Sequence, residues 1–149
     1  MRVVIDTNVF LDGEYDDNSC QNKIINEVLK RRIKAFANKK TLQENTMILE
    51  SIMNNEEYRR KVKECLGLIT RVAPKHVNVV TTDPEDNKIL GSAVAAQADY
   101  VITSDNDLLR LEEYEGIKIV EPATFWNTYK EEVLGENDWE KFVKDFLEG

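Results

Sequence analysis

An α/β fold built around a parallel sheet is what this sequence predicts, and three observations carry the prediction. Arg2-Val3-Val4-Ile5 is a short apolar run without polar alternation, the mark of a strand buried on both faces, and Asp6-Thr7-Asn8 follows it at once. Tyr100-Val101-Ile102-Thr103 repeats the arrangement far along the chain and is followed by Ser104-Asp105-Asn106-Asp107. Between these runs lie segments of helical periodicity, and strands that alternate with helices form parallel sheets with right-handed crossovers.

After the first strand, an acidic, polar loop from Asp12 to Asn18 leads to a helix expected from about Cys20 to Arg32, with Ile24, Ile25, Val28 and Leu29 on one stripe. Ile33 to Ala37 reads as a short strand, Thr41 to Met53 as a helix, and Glu56 to Val72 as another that Pro74 terminates. Val77-Asn78-Val79-Val80 reads as the third strand. Asp83-Pro84-Glu85-Asp86 opens a helix with Asp at the cap and Pro in the first turn, and that helix is expected to end near Ala98. The Tyr100 strand follows, then a short helix over Asp107 to Glu112, a last strand over Ile117 to Val120, a helix opened by Pro122, and a final helix capped at Asn137-Asp138.

At 149 residues the chain is long enough for one compact domain with a real core and too short for two of ordinary size. It has no apolar run long enough to span a bilayer and starts straight into a strand, so a soluble, cytoplasmic protein is expected. Cys20 and Cys65 have no metal or disulfide spacing, and His76 is the single histidine, which rules out a histidine-rich metal centre. Any metal would be held by oxygen. The net charge of −8 is unevenly spread: the chain through Lys75 carries +3 and the remainder −11. Basic clusters at Lys30-Arg31-Arg32 with Lys34, at Lys39-Lys40, and at Arg59-Arg60-Lys61 with Lys63 are able to hold phosphates, or are simply solvated helix faces.

Four acids fall where strand or helix ends would gather them at one cleft: Asp6, Glu44, Asp86 and Asp105. In open α/β sheets ligands bind outside the carboxyl ends of the strands where strand order reverses, so Asp6 is aimed at such a crevice. Each acid has a plainer reading. Asp6 could cap a turn, Asp86 could complement a helix dipole, Glu44 could be a surface charge with Glu50 as its rival, and Asp107 could be the N-cap of the short helix.

Taken together, Val4-Ile5-Asp6-Thr7-Asn8-Val9-Phe10, Leu42-Gln43-Glu44, Asp86-Asn87-Lys88-Ile89 and Thr103-Ser104-Asp105-Asn106-Asp107-Leu108-Leu109 resemble the PIN domain. The resemblance runs in order from Arg2 to about Tyr129 and is nearest to the prokaryotic branch that includes VapC-type toxins. It implies a three-layer sandwich on a five-stranded parallel sheet of order 3-2-1-4-5, in which Asp6 and Asp105 flank the switch point. It also implies an endoribonuclease dependent on Mg²⁺ or Mn²⁺, with RNA as substrate, a protein antitoxin as partner and a homodimer or higher homo-oligomer as assembly. By the same resemblance Asp6, Asp86 and Asp105 are metal carboxylates, Glu44 completes the catalytic set, and Asp107 is a further ligand. Thr7, Asn8, Thr103 and Ser104 are supporting residues. Ser104 departs from relatives that often carry Gly or a bulkier polar residue there.

Such chemistry needs such a cluster, because phosphodiester hydrolysis requires charge neutralised on the phosphate and a hydroxide nucleophile near neutral pH, both of which carboxylate-held cations supply. Two other classes remain open on sequence. One is a PIN fold that binds RNA or protein with little or no cleavage. The other is a phosphoacceptor receiver domain, which wants adjacent acids at the first strand, where this chain has Asp6-Thr7. Residues 1–130 are expected to form the nuclease-like domain, and residues 131–149 an acidic amphipathic helix within the same unit. Its Trp139, Phe142, Val143, Phe146 and Leu147 share one stripe.

Overall fold

The computed structural model describes residues 1–51, 54–78, 81, 83–134 and 143–147. Six strands among these form one sheet in the order β3-β2-β1-β4-β6-β5. β1 (Arg2–Ile5) pairs in parallel with β2 (Lys34–Ala37) on one side and with β4 (Tyr100–Ile102) on the other, and β4 pairs in parallel with β6 (Ile117–Val120). The expected order 3-2-1-4-5 is therefore present, with one addition. β5 (Glu113–Tyr114) folds back antiparallel on β6 through a turn in which Glu115 and Gly116 have φ of 49° and 82°, the left-handed pair that tight hairpins need.

The third strand differs from the sequence expectation. It is β3, Thr70–Arg71, in register with Phe36 and Ala37 of β2, whereas Val77 and Asn78 are irregular and Val79-Val80 lie outside the described residues. Val77 earns its apolar character differently: it is buried against the second face of the sheet from a non-strand segment. That segment is pinned by the bond from Lys75 N to Gly91 O, at 3.0 Å. A Cβ on Gly91 would lie 2.3 Å from Lys75 O, so only glycine allows the approach.

Helices cover both faces. Val3 and Ile5 of β1, with Tyr100 and Ile102 of β4, pack under α1 (Thr7–Asp12), α2 (Cys20–Leu29), α3 (Lys39–Ser51), α4 (Glu56–Leu68) and α7 (Pro122–Tyr129). Val4, Val101 and Ile119 point the other way, against Ile89, Leu90, Ala93 and Ala96 of α5 (Pro84–Ala96) and Leu108 of α6 (Asn106–Leu109). This is the period-two alternation of a strand buried twice, and each fully buried aliphatic side chain contributes about 1.5–3 kcal/mol.

Helix ends follow local chemistry. α2 stops three residues short of expectation because Arg31 turns left-handed at φ 61°, so Lys30-Arg31-Arg32 form a turn and not a helix face. α3 starts two residues early because the Asn38 side chain accepts from Thr41 N at 2.9 Å. Asp105, not Asp107, caps α6, accepting from Asp107 N at 2.8 Å. Beyond α7 the chain makes one π-helical turn, Lys130–Leu134. Residues 143–147 are helical with Phe146 and Leu147 exposed, while Trp139 and Phe142 of the expected stripe lie outside the described residues. No helix among the described residues is long and apolar enough to cross a membrane.

Candidate metal centre at the sheet switch point

The carboxyl ends of β1 and β4 meet where strand order reverses, and one backbone bond fastens β1 to β4 there while a second fastens β4 to β6. Asp6 N donates to Ile102 O at 2.9 Å, and Thr103 N donates to Val120 O at 3.0 Å, so pairing continues one residue past each strand. Asp6 then caps α1, accepting from Thr7 N through Oδ1 at 2.8 Å. Its Oδ2 accepts from the Thr103 hydroxyl at 2.7 Å and from Asn8 Nδ2 at 3.3 Å. Thr103 is fully buried, and its hydroxyl oxygen also accepts from Asp105 N at 3.0 Å. One hydroxyl thus ties the two acidic tips together.

The plainer reading of Asp6 as a cap is correct as far as it goes, but a cap alone leaves no reason for three donors on one carboxylate. Burial raises its pKa against the Thr103 hydroxyl and the Thr7 amide, and Asp105 pushes it further up.

Asp86 comes from the other face of the sheet. Asp83 is the N-cap of α5, accepting from Glu85 N at 2.9 Å, with Pro84 in the first turn, and this start delivers Asp86 beside Asp105. Asp86 is 4% exposed, and its Oδ2 has no hydrogen-bond partner among the described residues. Burial, with Asp105, Asp83, Asp6 and Asp107 adding repulsion, pushes its carboxyl up to about 7. One oxygen each from Asp86, Asp105 and Asp107 lie within 4.8 Å of one another. Two oxygens on opposite sides of an octahedral Mg²⁺ are separated by about 4.2 Å, so this group has the size and the hard-oxygen chemistry to hold a divalent cation. Such an ion would also offset the repulsion among these buried and crowded carboxylates.

Asp6 and Glu44 stand outside that tight trio. Glu44 is half-buried on α3, and its pKa is raised by burial and by Glu85, opposed by Lys40, with smaller contributions from Asp6 and Asp83. It sits on the rim. Thr7 and Asn8 hold Asp6 and its surroundings: Thr7 Oγ1 donates to Asn45 Oδ1 at 2.6 Å, and Asn8 Oδ1 accepts from Ser104 N at 3.3 Å. Ser104 also donates to Asp12 Oδ2 at 3.4 Å. Glu50, the rival of Glu44, is exposed beside a groove between α3 and α4, on another side of the helix.

Sequence reasoning saw Asn45 only as part of the polar stripe after Glu44, not as a buried partner of Thr7, and passed over the Lys40–Glu85 ion pair that bridges α3 and α5. Lys40 one turn before Glu44 was a visible signal; its partner 45 residues away was not.

A mostly parallel sheet with acidic tips from its first and fourth strands, and an acid delivered by the helix before the fourth, is the arrangement of the PIN domain, and the PIN domain family model matches residues 2–107. The chain belongs to that family, whose members are in general nucleases that use divalent metal ions. It is similar along nearly its whole length to a protein of Methanocaldococcus jannaschii described only as uncharacterized, with 27% identity over 150 residues covering 96% of this chain and 94% of the relative.

Proposed function

We propose that this chain is a metal-dependent endoribonuclease that hydrolyses RNA phosphodiester bonds in the cytoplasm, and that it is the toxin of a toxin–antitoxin pair. The observation that carries the nuclease reading is the buried Asp86 carboxylate at the switch point, grouped with Asp105 and Asp107 and with one oxygen that has no partner among the described residues. Charge buried without a partner is costly, and it persists where a ligand repays it.

Asp86, Asp105 and Asp107 would hold Mg²⁺ or Mn²⁺, with Asp6 and Glu44 completing the carboxylate set directly or through water. When bound, such a cation neutralises charge on the scissile phosphate and makes a hydroxide nucleophile accessible near neutral pH. The chain's own contribution is orientation. Thr103, Thr7 and Asn8 fix the Asp6 carboxylate in one position, and the Thr103 hydroxyl fixes the Asp105 turn against it. Ser104, exposed between the tips, stands where substrate would approach. The toxin assignment rests on the likeness of these motifs to VapC-type proteins, with an antitoxin as partner and a homodimer as assembly. Residues 1–130 act as the nuclease unit, with 131–149 as its acidic extension.

The test is cleavage of end-labelled single-stranded RNA by the wild-type protein with Mn²⁺, with EDTA, and by Asp6→Asn. Cleavage that needs the metal and is lost in Asp6→Asn is expected. Equal cleavage by wild type and variant, or indifference to EDTA, would sink the nuclease reading. Growth arrest on induced expression, relieved by Asp6→Asn, is the corresponding outcome for a toxin.

A further inference from the structure

Beside the carboxylates, Lys40 on one helix and Glu85 on another pair within electrostatic reach of Glu44, and Lys88 joins them through Glu85. Lys40 lies on α3 one turn before Glu44, and Glu85 lies on α5 immediately before Asp86. Lys40 Nζ is 2.5 Å from Glu85 Oε1, and Lys88 Nζ is 3.6 Å from the same oxygen. All three side chains are a third to a half exposed. Arg110, at the end of α6, is engaged with Asp107 at 3.1 Å.

The pair is not needed to hold the two helices together. Beneath it, the buried Asn38 side chain donates to Ser92 Oγ at 3.0 Å and accepts from Thr41 N at 2.9 Å, while Ser92 donates to Lys88 O at 2.8 Å. That polar frame already fixes the start of α3 against α5, and an exposed ion pair above it adds little stability. A polyanion reaching a cleft lined by Asp6, Asp83, Asp86, Asp105 and Asp107 nevertheless needs positive charge at its edge. Lys40 and Lys88 are placed to supply it, and both are held by one carboxylate.

We propose that Glu85 is an internal stand-in for a substrate phosphate: it holds Lys40 and Lys88 at the cleft mouth, and a backbone phosphate flanking the scissile one displaces it. The inference rests on the nuclease reading and deepens it, giving the site two phosphate-binding lysines and a built-in competitor. Glu85 and phosphate both present an anionic oxygen to the ammonium groups, so the exchange is one charge-assisted contact for another with the helices unmoved.

The test is binding of a fluorescent single-stranded RNA oligonucleotide in EDTA at low salt, read by anisotropy, with cleavage in Mn²⁺ measured in parallel. Glu85→Gln is expected to tighten binding about three- to tenfold, and Lys40→Gln with Lys88→Gln to weaken it by about as much or more. The gain from Glu85→Gln should largely vanish in the background lacking both lysines, because it comes from freeing them. A gain of the same size in both backgrounds reports only the loss of a nearby negative charge and overturns the proposal, as does a Glu85→Gln protein that binds no more tightly than wild type. If either occurs while wild-type cleavage persists and Asp6→Asn abolishes it, the clasp falls and the nuclease stands. If no variant binds or cleaves RNA, the nuclease reading falls and takes the clasp with it.

Discussion

Two regions of this protein bury acids, and they do so on opposite terms. On the α2 side, Glu14 is 7% exposed and its Oε1 accepts from Asn54 N at 2.6 Å and Asn55 N at 3.0 Å. Glu27, 3% exposed, accepts from the Tyr129 hydroxyl at 2.9 Å and pairs with Arg32 at 3.6 Å. Those acids join a loop to a helix and one helix to another, and their partners are present in the chain. At the sheet switch point Asp86 is equally buried, yet its Oδ2 has no partner among the described residues, and Asp105, Asp83, Asp6 and Asp107 repel its charge. Burial of a carboxylate says little about function until its hydrogen bonds are counted. The satisfied acids belong to the architecture, and the unsatisfied one marks where a ligand is expected.

The contrast breaks most sharply by substitution. Asp86→Asn is expected to lower Mn²⁺-dependent RNA cleavage by at least about a hundredfold. In EDTA the same variant should melt higher than wild type, because it removes a crowded negative charge. A variant that is both inactive and less stable in EDTA would place Asp86 with the structural acids instead.

Next in size is the effect of the cation on folding. Ligand at a hundred times its dissociation constant adds about 2.7 kcal/mol, which for a chain of this size raises Tm by roughly 5–10 °C. Mn²⁺ should give such a rise for wild type and little for Asp86→Asn, as read by differential scanning fluorimetry. Thr103→Val keeps the shape of a fully buried residue and removes the bond to Asp6, so cleavage should fall about ten- to a hundredfold, with fluorimetry showing a folded protein. Full activity in that variant would separate the Asp6 orientation from catalysis.

The smallest effect lies on the structural side. Burial, with the bond to Glu27 adding to it, pushes the Tyr129 hydroxyl from 10.0 up to about 12. The folded state therefore holds the proton longer than the unfolded chain does. Its contribution is whole below pH 10 and is lost as pH rises from there through about 12. Tyr129→Phe should cost about 1–1.5 kcal/mol at neutral pH and flatten that alkaline decline, while cleavage at pH 7 stays near wild type. Urea titrations between pH 8 and 11 would show whether the slope changes.

Asp6 and Asp105 were legible because Asp6 follows at once, and Asp105 within three residues, on an apolar run too short and too unbroken to be anything but a doubly buried strand, and the chain exits such a strand at a sheet end. Asp86 was legible through Asp83-Pro84, which fixes where its helix begins. The third strand was misplaced for a physical reason. Thr70–Arg71 is two exposed residues held by pairing with β2, which leaves no apolar pattern, whereas Val77 carries the pattern but is buried by contact with α5. The links of Thr7 to Asn45, Asn38 to Ser92 and Lys40 to Glu85 span 38, 54 and 45 residues, and nothing local announces them.

The two ends of the sheet are finished in the same way. β3 and β5, the outermost strands, are two residues each, and β5 runs antiparallel to its one neighbour, β6. Among the described residues the sheet therefore offers no long row of free amides and carbonyls on which a foreign strand could template itself. Recognition by strand addition needs such a row. Any protein partner would have to be met by helix faces and side chains, and the same blunted borders protect the sheet from edge-to-edge aggregation.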